Sequence, residues 1–109
     1  MNYRVVRETS DQPIDFTVAP GVAWQLESVR LHLDAGGAAT DLTIAVEAGA
    51  STAAGEYDVV LVTQAMGGVT DYFYKPDFPI PFGPDDEVTI AYTNGDTATY
   101  GLEVYYQGI

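Results

Sequence analysis

Histidine, serine and carboxylate are the side chains with which a small chain does acid–base or nucleophilic chemistry, and here their spacing assembles nothing. His32 is the only histidine, and it alternates with Leu31 and Leu33, so strand periodicity turns it away from the apolar side. A general base needs a nucleophile beside it, yet none of Ser10, Ser28 or Ser51 sits in a G-x-S-x-G elbow. His32 is read as an exposed or interfacial residue. With sixteen acids in the chain, a carboxylate pair at glycosidase spacing can be drawn almost anywhere and so points nowhere. Gly36-Gly37 leads into no helix, and neither a phosphate-binding loop nor a dinucleotide fingerprint is present. The absence of cysteine removes disulfides, thiol catalysis and cysteine-ligated zinc. The chain is expected not to be an enzyme and to need no cofactor. Calcium requires only oxygen ligands, and Asp85, Asp86 and Glu87 place three acids where a loop enters a strand. They lack EF-hand spacing, so the simpler expectation makes Asp85 and Asp86 turn formers bonded to local amides, with no metal.

Contact chemistry is better represented. Residues 71–86, DYFYKPDFPIPFGPDD, hold five aromatics, Tyr72, Phe73, Tyr74, Phe78 and Phe82, among four prolines. Proline stiffens such a segment and the rings supply contact area at small entropic cost, a composition that suits an interface as well as it suits a core-covering loop. Because Tyr72, Phe73 and Tyr74 occupy both strand parities, one of their faces is expected to miss the core. Tyr105 raises the same question at the other end of the chain, since Tyr106 shares the inward parity of Leu102 and Val104. Residues 1–13 hold Tyr3, Arg4 and Arg7 and are read as a candidate extended arm able to reach a neighbour or add a strand to it.

The elements that must position these residues are strands. TDLTIAVE, DEVTIAYT and TATYGLEVYY alternate apolar and polar residues with period two. Asn94-Gly95 between the last two predicts a two-residue hairpin over 86–106. In VAWQLESVRLHLD the apolar parity changes between Leu26 and Val29, which predicts a bulge or bend near Glu27 and Ser28. Val59 to Val62 run without a polar break and are expected to be covered on both faces, inside the fold or beneath a neighbouring subunit. Turn residues at short intervals, with no amphipathic helical window, give eight strands, near 3–8, 14–18, 22–34, 41–47, 57–65, 69–75, 87–93 and 97–106. The fold class is all-β: an antiparallel β-sandwich, an eight-stranded jelly roll first and an immunoglobulin-like sandwich second.

A chain of 109 residues is expected to make one domain, 1–109, with about 65% of its unfolded surface buried. Sixteen acids against four bases give a formal charge of -12. Arg4, Arg7, Arg30 and Lys75 are scattered, so neither nucleic acid nor an anionic membrane is an expected partner. The first fifteen residues carry acids and a proline where a secretory leader has its apolar run, and nothing approaches a twenty-residue membrane span.

The strand W-x-L-x-S-V-R-L-H-L, the segment LTIAVE after a glycine-rich turn, the run FPIPFGPDDEVTIAY and the ending GLEVYY together resemble small β-sandwich virion proteins of tailed bacteriophages. The likeness spans about Phe16 to Tyr106 and is nearest to the capsid decoration, or cement, proteins. It implies a jelly roll made in the host cytoplasm and placed on the capsid exterior, a dimer or trimer bound to the major capsid protein, with basic capsid surface offsetting its charge. Partner contacts would then involve Tyr72, Phe73, Tyr74, Phe78, Phe82, Tyr105, Tyr3, Arg4 and Arg7. The alternative is a carbohydrate-recognition module of a phage tail or fibre.

Overall fold

Alternating residues form strands wherever the pattern is present: the computed structural model, which describes residues 3–49 and 55–109, contains nine strands and no helix among those residues. They are β1 (Tyr3–Ser10), β2 (Ile14–Val18), β3 (Trp24–Leu33), β4 (Asp41–Glu47), β5 (Val59–Ala65), β6 (Asp71–Tyr74), β7 (Ile80–Phe82), β8 (Glu87–Tyr92) and β9 (Tyr100–Gly108). Sheet A has the order β1-β9-β3-β6, with β7 also on β3, and sheet B the order β2-β8-β4-β5. Leaving out short β7, the first strand pairs with the last, the second with the next to last, β3 with β6, and β4 with β5, all antiparallel. That nesting, folded over into two sheets, is a jelly roll. In an immunoglobulin-like sandwich the last two strands lie side by side, whereas β8 and β9 belong to opposite sheets.

Between the sheets lies one core. Sheet A contributes Trp24, Leu26, Val29, Leu31, Leu33, Leu102 and Val104, and sheet B contributes Ile14, Leu42, Ile44, Val46, Val88 and Ile90, all buried. The change of parity in β3 is resolved by a bulge: Leu26 pairs with Tyr106 and Ser28 with Tyr105, leaving Glu27 extra. One inserted residue thus returns Trp24, Leu26, Val29, Leu31 and Leu33 to a single face. The Trp24 ring lies 4.7 Å from Phe82 and 5.7 Å, edge on, from Tyr106, and its Nε1–H donates to the Asp86 carbonyl at 3.2 Å. Trp24 therefore ties the Pro-rich segment to sheet A, and β7, three residues long with Pro81 in its middle, is the strand that the sequence pattern does not announce.

Three expectations are corrected. Residues 86–106 do not form a hairpin: β8 and β9 are in different sheets, and the Asn94 loop carries the chain across the end of the sandwich. Asn94, at φ 52°, is buried, its Oδ1 accepts from Ala98 N at 3.1 Å, and its Nδ2 donates to the carbonyls of Ala98, Gln12 and Asp11 at 2.9, 3.1 and 3.2 Å. The left-handed conformation that Asn accepts easily serves a crossover here, and the side chain pins that crossover to the β1–β2 turn. Second, the candidate arm of 1–13 does not stand free: its residues 3–10 form β1, the strand expected near 3–8, held along its whole length against β9. Third, Val59 and Val60 are not inside the fold; they lie more than half exposed on β5, the edge of sheet B.

Candidate functional site

Strand registers place the outward residues of sheet A in rows. One row runs Arg7, Glu103, Arg30, Phe73 from β1 through β9 and β3 to β6; its neighbour runs Thr9, Gly101, His32, Asp71, and on the other side Val5, Tyr105 and Ser28 follow. Glu103 is gripped by two arginines, Arg7 Nε donating to Oε2 at 2.7 Å and Arg30 Nη2 to Oε1 at 2.7 Å. Arg30 also donates to the Tyr105 hydroxyl and lies 5.0 Å from the centre of its ring. These contacts hold the Glu103 carboxyl below the usual range, the Arg7 hydrogen bond being the largest cause. In the adjoining row His32 Nδ1 is 2.7 Å from Asp71 Oδ1, and Thr70 donates to the other oxygen at 3.1 Å. The hydrogen bond from His32, more than that from Thr70, lowers the Asp71 carboxyl.

Gly101 interrupts this surface. It lies within β9, flanked by β1 and β3, at an ordinary negative φ, and a Cβ added to it would meet nothing within 4 Å. Glycine weakens a strand, and here neither backbone conformation nor crowding requires it; its effect is a notch. Two depressions of about 370 and 460 Å³ meet over it, sharing His32, Gly101 and Glu103, with Phe73, Asp71 and Arg30 on one side and Arg7 and Thr9 on the other. His32 and Asp71 form an oriented pair, but the Thr9 hydroxyl stands two strands away in the row, roughly 10 Å by strand spacing, too far to be activated. The face combines an ionic lattice, a notch, and the exposed rings of Tyr3 and Phe73.

Charge separates the two faces. The outward side of sheet A carries Arg7 and Arg30 against Glu103, Asp71 and Glu27, whose carboxylate accepts from Gln25 Nε2 at 3.0 Å, a net of -1. Thirteen acids and two bases are left for the rest of the chain. The outward side of sheet B presents Asp15, Asp41, Glu47 and Glu87 with threonines and no base.

Of the residues expected at an interface, Tyr3, Arg7, Phe73 and Tyr105 come together on this face of sheet A. Phe78, 81% exposed, stands on the connection between β6 and β7. The others stand elsewhere. Phe82 is in the core against Trp24, and Tyr72 and Tyr74 turn inward and pack on the core, where burial raises their phenols. Arg4 has the opposite parity on β1 from Tyr3 and Arg7. Arg30, Glu103 and the His32–Asp71 pair escape sequence reading because only register unites them; an isolated glycine inside an alternating strand was the available signal for Gly101.

Local amides hold the acidic turn. The Asp86 carboxylate accepts from Gly83 N at 2.9 Å and Gly49 N at 3.2 Å. Gly49 sits so close that a Cβ there would lie 2.2 Å from Asp85 Cβ. No group of three or more His, Cys, Asp or Glu able to hold a metal occurs among the described residues, which include Asp85, Asp86 and Glu87. Nor is any helix among them long and apolar enough to cross a membrane.

No family model matches the chain, and no curated protein does. Among solved structures, the nucleoplasmin-like N-terminal domain of Drosophila FKBP39 is similar with a TM-score of 0.46 at 10% identity, covering 99% of this chain and 90% of that one.

Proposed function

We propose that this protein is a non-enzymatic binding module that docks through the outward face of sheet A onto a repeating protein surface, the outside of a phage capsid, as a decoration or cement protein. The observation that carries the docking face is the convergence of Tyr3, Arg7, Phe73 and Tyr105, with the Gly101 notch, on the side of the sandwich that holds almost none of the net charge. A near-neutral face meeting the shell leaves the acidic face of sheet B toward solvent, where it keeps many copies apart. The capsid as partner rests on the sequence resemblance. A second reading, carbohydrate recognition, draws on the same notch, because Phe73 beside His32, Asp71 and Glu103 combines an apolar ring with polar groups at the edge of a depression.

Quantifying the chain per virion by mass spectrometry against the major capsid protein tests the location. Comparable copy numbers support decoration, a few copies per particle move the protein to the tail, and absence from particles ends the virion reading. The docking face is tested with Gly101→Val, which fills the notch while improving strand propensity. Capsid occupancy is expected to fall with stability unchanged or raised; full occupancy of the variant would remove this face from the contact.

A further inference from the structure

Among the described residues there are four sheet edges, and three are guarded. β1 carries Arg4, Arg7 and Glu8; β2 is five residues with Asp15, preceded by Pro13; β6 is four residues followed by Lys75-Pro76, and β7 contains Pro81. The fourth, β5, is seven residues with neither charge nor proline, VVLVTQA, bonded to β4 on one side only. Val59 and Val60 are 53% and 56% exposed, and Tyr57 just ahead of them is 61% exposed. The single irregularity is a bulge at Leu61, whose side chain packs on the core. Beside β5 the sandwich stands open as a cleft of about 320 Å³, where Tyr57, Val59 and Leu61 face Val46, Ile80 and Phe82.

We infer that β5 pairs antiparallel with β5 of a second copy across a twofold axis, joining two sheets B into one continuous eight-stranded sheet. Charge selects this occupant. Two molecules at -12 repel each other, and an uncharged strand is where they can approach. Pairing about Val62, with the Leu61 bulge of each copy opposite Thr63 of the other, sets Val59 beside Gln64 on the inner face, so no like charges face one another. The Asp58 carboxylates then lie about 20 Å apart by strand rise, more than two Debye lengths at physiological salt. The pairing is its own complement, as a twofold contact demands. Residues of the incoming strand that point inward continue the inner face of sheet B over the open cleft. With only a strand edge, two valines and a tyrosine per copy, the contact belongs with interfaces under 1,200 Å² in total, roughly the size of reversible ones. This inference is independent of docking through sheet A, which uses the opposite sheet.

Sedimentation of the full chain across concentration and salt tests it. The expected result is a reversible monomer–dimer equilibrium that tightens with salt, because screening removes repulsion while the uncharged contact persists. Val60→Lys, at an outward and exposed position, should weaken dimerisation by about tenfold or more with circular dichroism unchanged. Phe73→Lys on sheet A should leave it intact. A monomer at every concentration and salt, a trimer, or disruption by Phe73→Lys and not by Val60→Lys would each overturn the inference.

Discussion

Changing Asn94 to Asp keeps the size of the side chain and the tolerance of a left-handed backbone, so the substitution isolates what the amide does. In the native crossover the two Nδ2 hydrogens are shared among three main-chain carbonyls, of Ala98, Gln12 and Asp11, while Oδ1 accepts from Ala98 N. Aspartate can still accept from Ala98 N, but its second oxygen faces three oxygens. A buried donor or acceptor left unmatched costs about 1–3 kcal/mol. The bond to Ala98 is fully buried and those to Gln12 and Asp11 are half-buried, so the loss should be about 3 kcal/mol, in addition to the penalty of a buried charge that its neighbours do not neutralise. Asn94→Gly, which keeps φ and removes the whole side chain, should lose less than Asn94→Asp, because it introduces no repulsion and gives water room to enter. Trp24, the single tryptophan and fully buried, reports unfolding by fluorescence in a urea titration. Asn94→Asp within about 0.5 kcal/mol of the native chain, or less damaging than Asn94→Gly, would refute the view that this amide closes the end of the sandwich.

Phe82→Ala should cost about 3–5 kcal/mol and shift Trp24 emission toward that of an exposed indole, whereas Phe78→Ala, at an open position, should stay within about 0.5 kcal/mol in the same titration. Tyr100 is almost fully buried and its phenol is pushed up to about 12, first by burial and then by the Glu8 carboxylate. Its neutral form is therefore favoured in the fold, and that share of stability is present below about pH 10 and lost as pH rises toward 12. Tyr100→Phe should move the alkaline unfolding midpoint upward; an unmoved midpoint would contradict this. Glu103 and Asp71 are lowered in the fold, so each contributes stability above the ordinary carboxyl range that is lost as pH falls through its depressed folded value. Glu103→Gln should flatten the acid side of the stability profile measured by urea midpoints from neutrality to about pH 3.

The architecture is largely legible in the sequence because it is set by parity. The bulge at Glu27 follows from two apolar phases that must share one core, and the alternation in β4, β8 and β9 fixes which residues face inward. What parity leaves open is which strand lies beside which. Asn94-Gly95 between alternating strands has the chemistry of a tight turn, and a positive φ is needed equally by a hairpin and by a crossover between sheets; only long-range pairing decides. The valine run is left between the interior and a subunit contact for a related reason, since a strand buried on both faces and an edge strand open to a neighbour have the same composition. Phe82 looked available within a Pro-rich segment because its partner, Trp24, lies far away in the chain. The outward face of sheet A is half visible: the rings and arginines stand out as types, but the rows that bring Arg7, Glu103, Arg30 and Phe73 together exist only once the register is known.

The crossover at Asn94 also bears on how the molecule ages. An asparagine followed by glycine is chemically fragile, because the next backbone nitrogen can attack the side-chain amide and expel ammonia, closing a succinimide ring that water then opens to aspartate or its β-linked isomer. In the folded chain both ends of that amide are engaged, Nδ2 by three carbonyls and Oδ1 by Ala98 N, and solvent is nearly excluded. Attack requires the amide to leave these partners, so the reaction is confined to molecules that have opened this end of the sandwich. Its product is the residue that the crossover tolerates least. Each opening therefore carries a chance of becoming permanent, and the lifetime of the native protein is governed by how often one end of the sandwich opens as well as by its equilibrium stability.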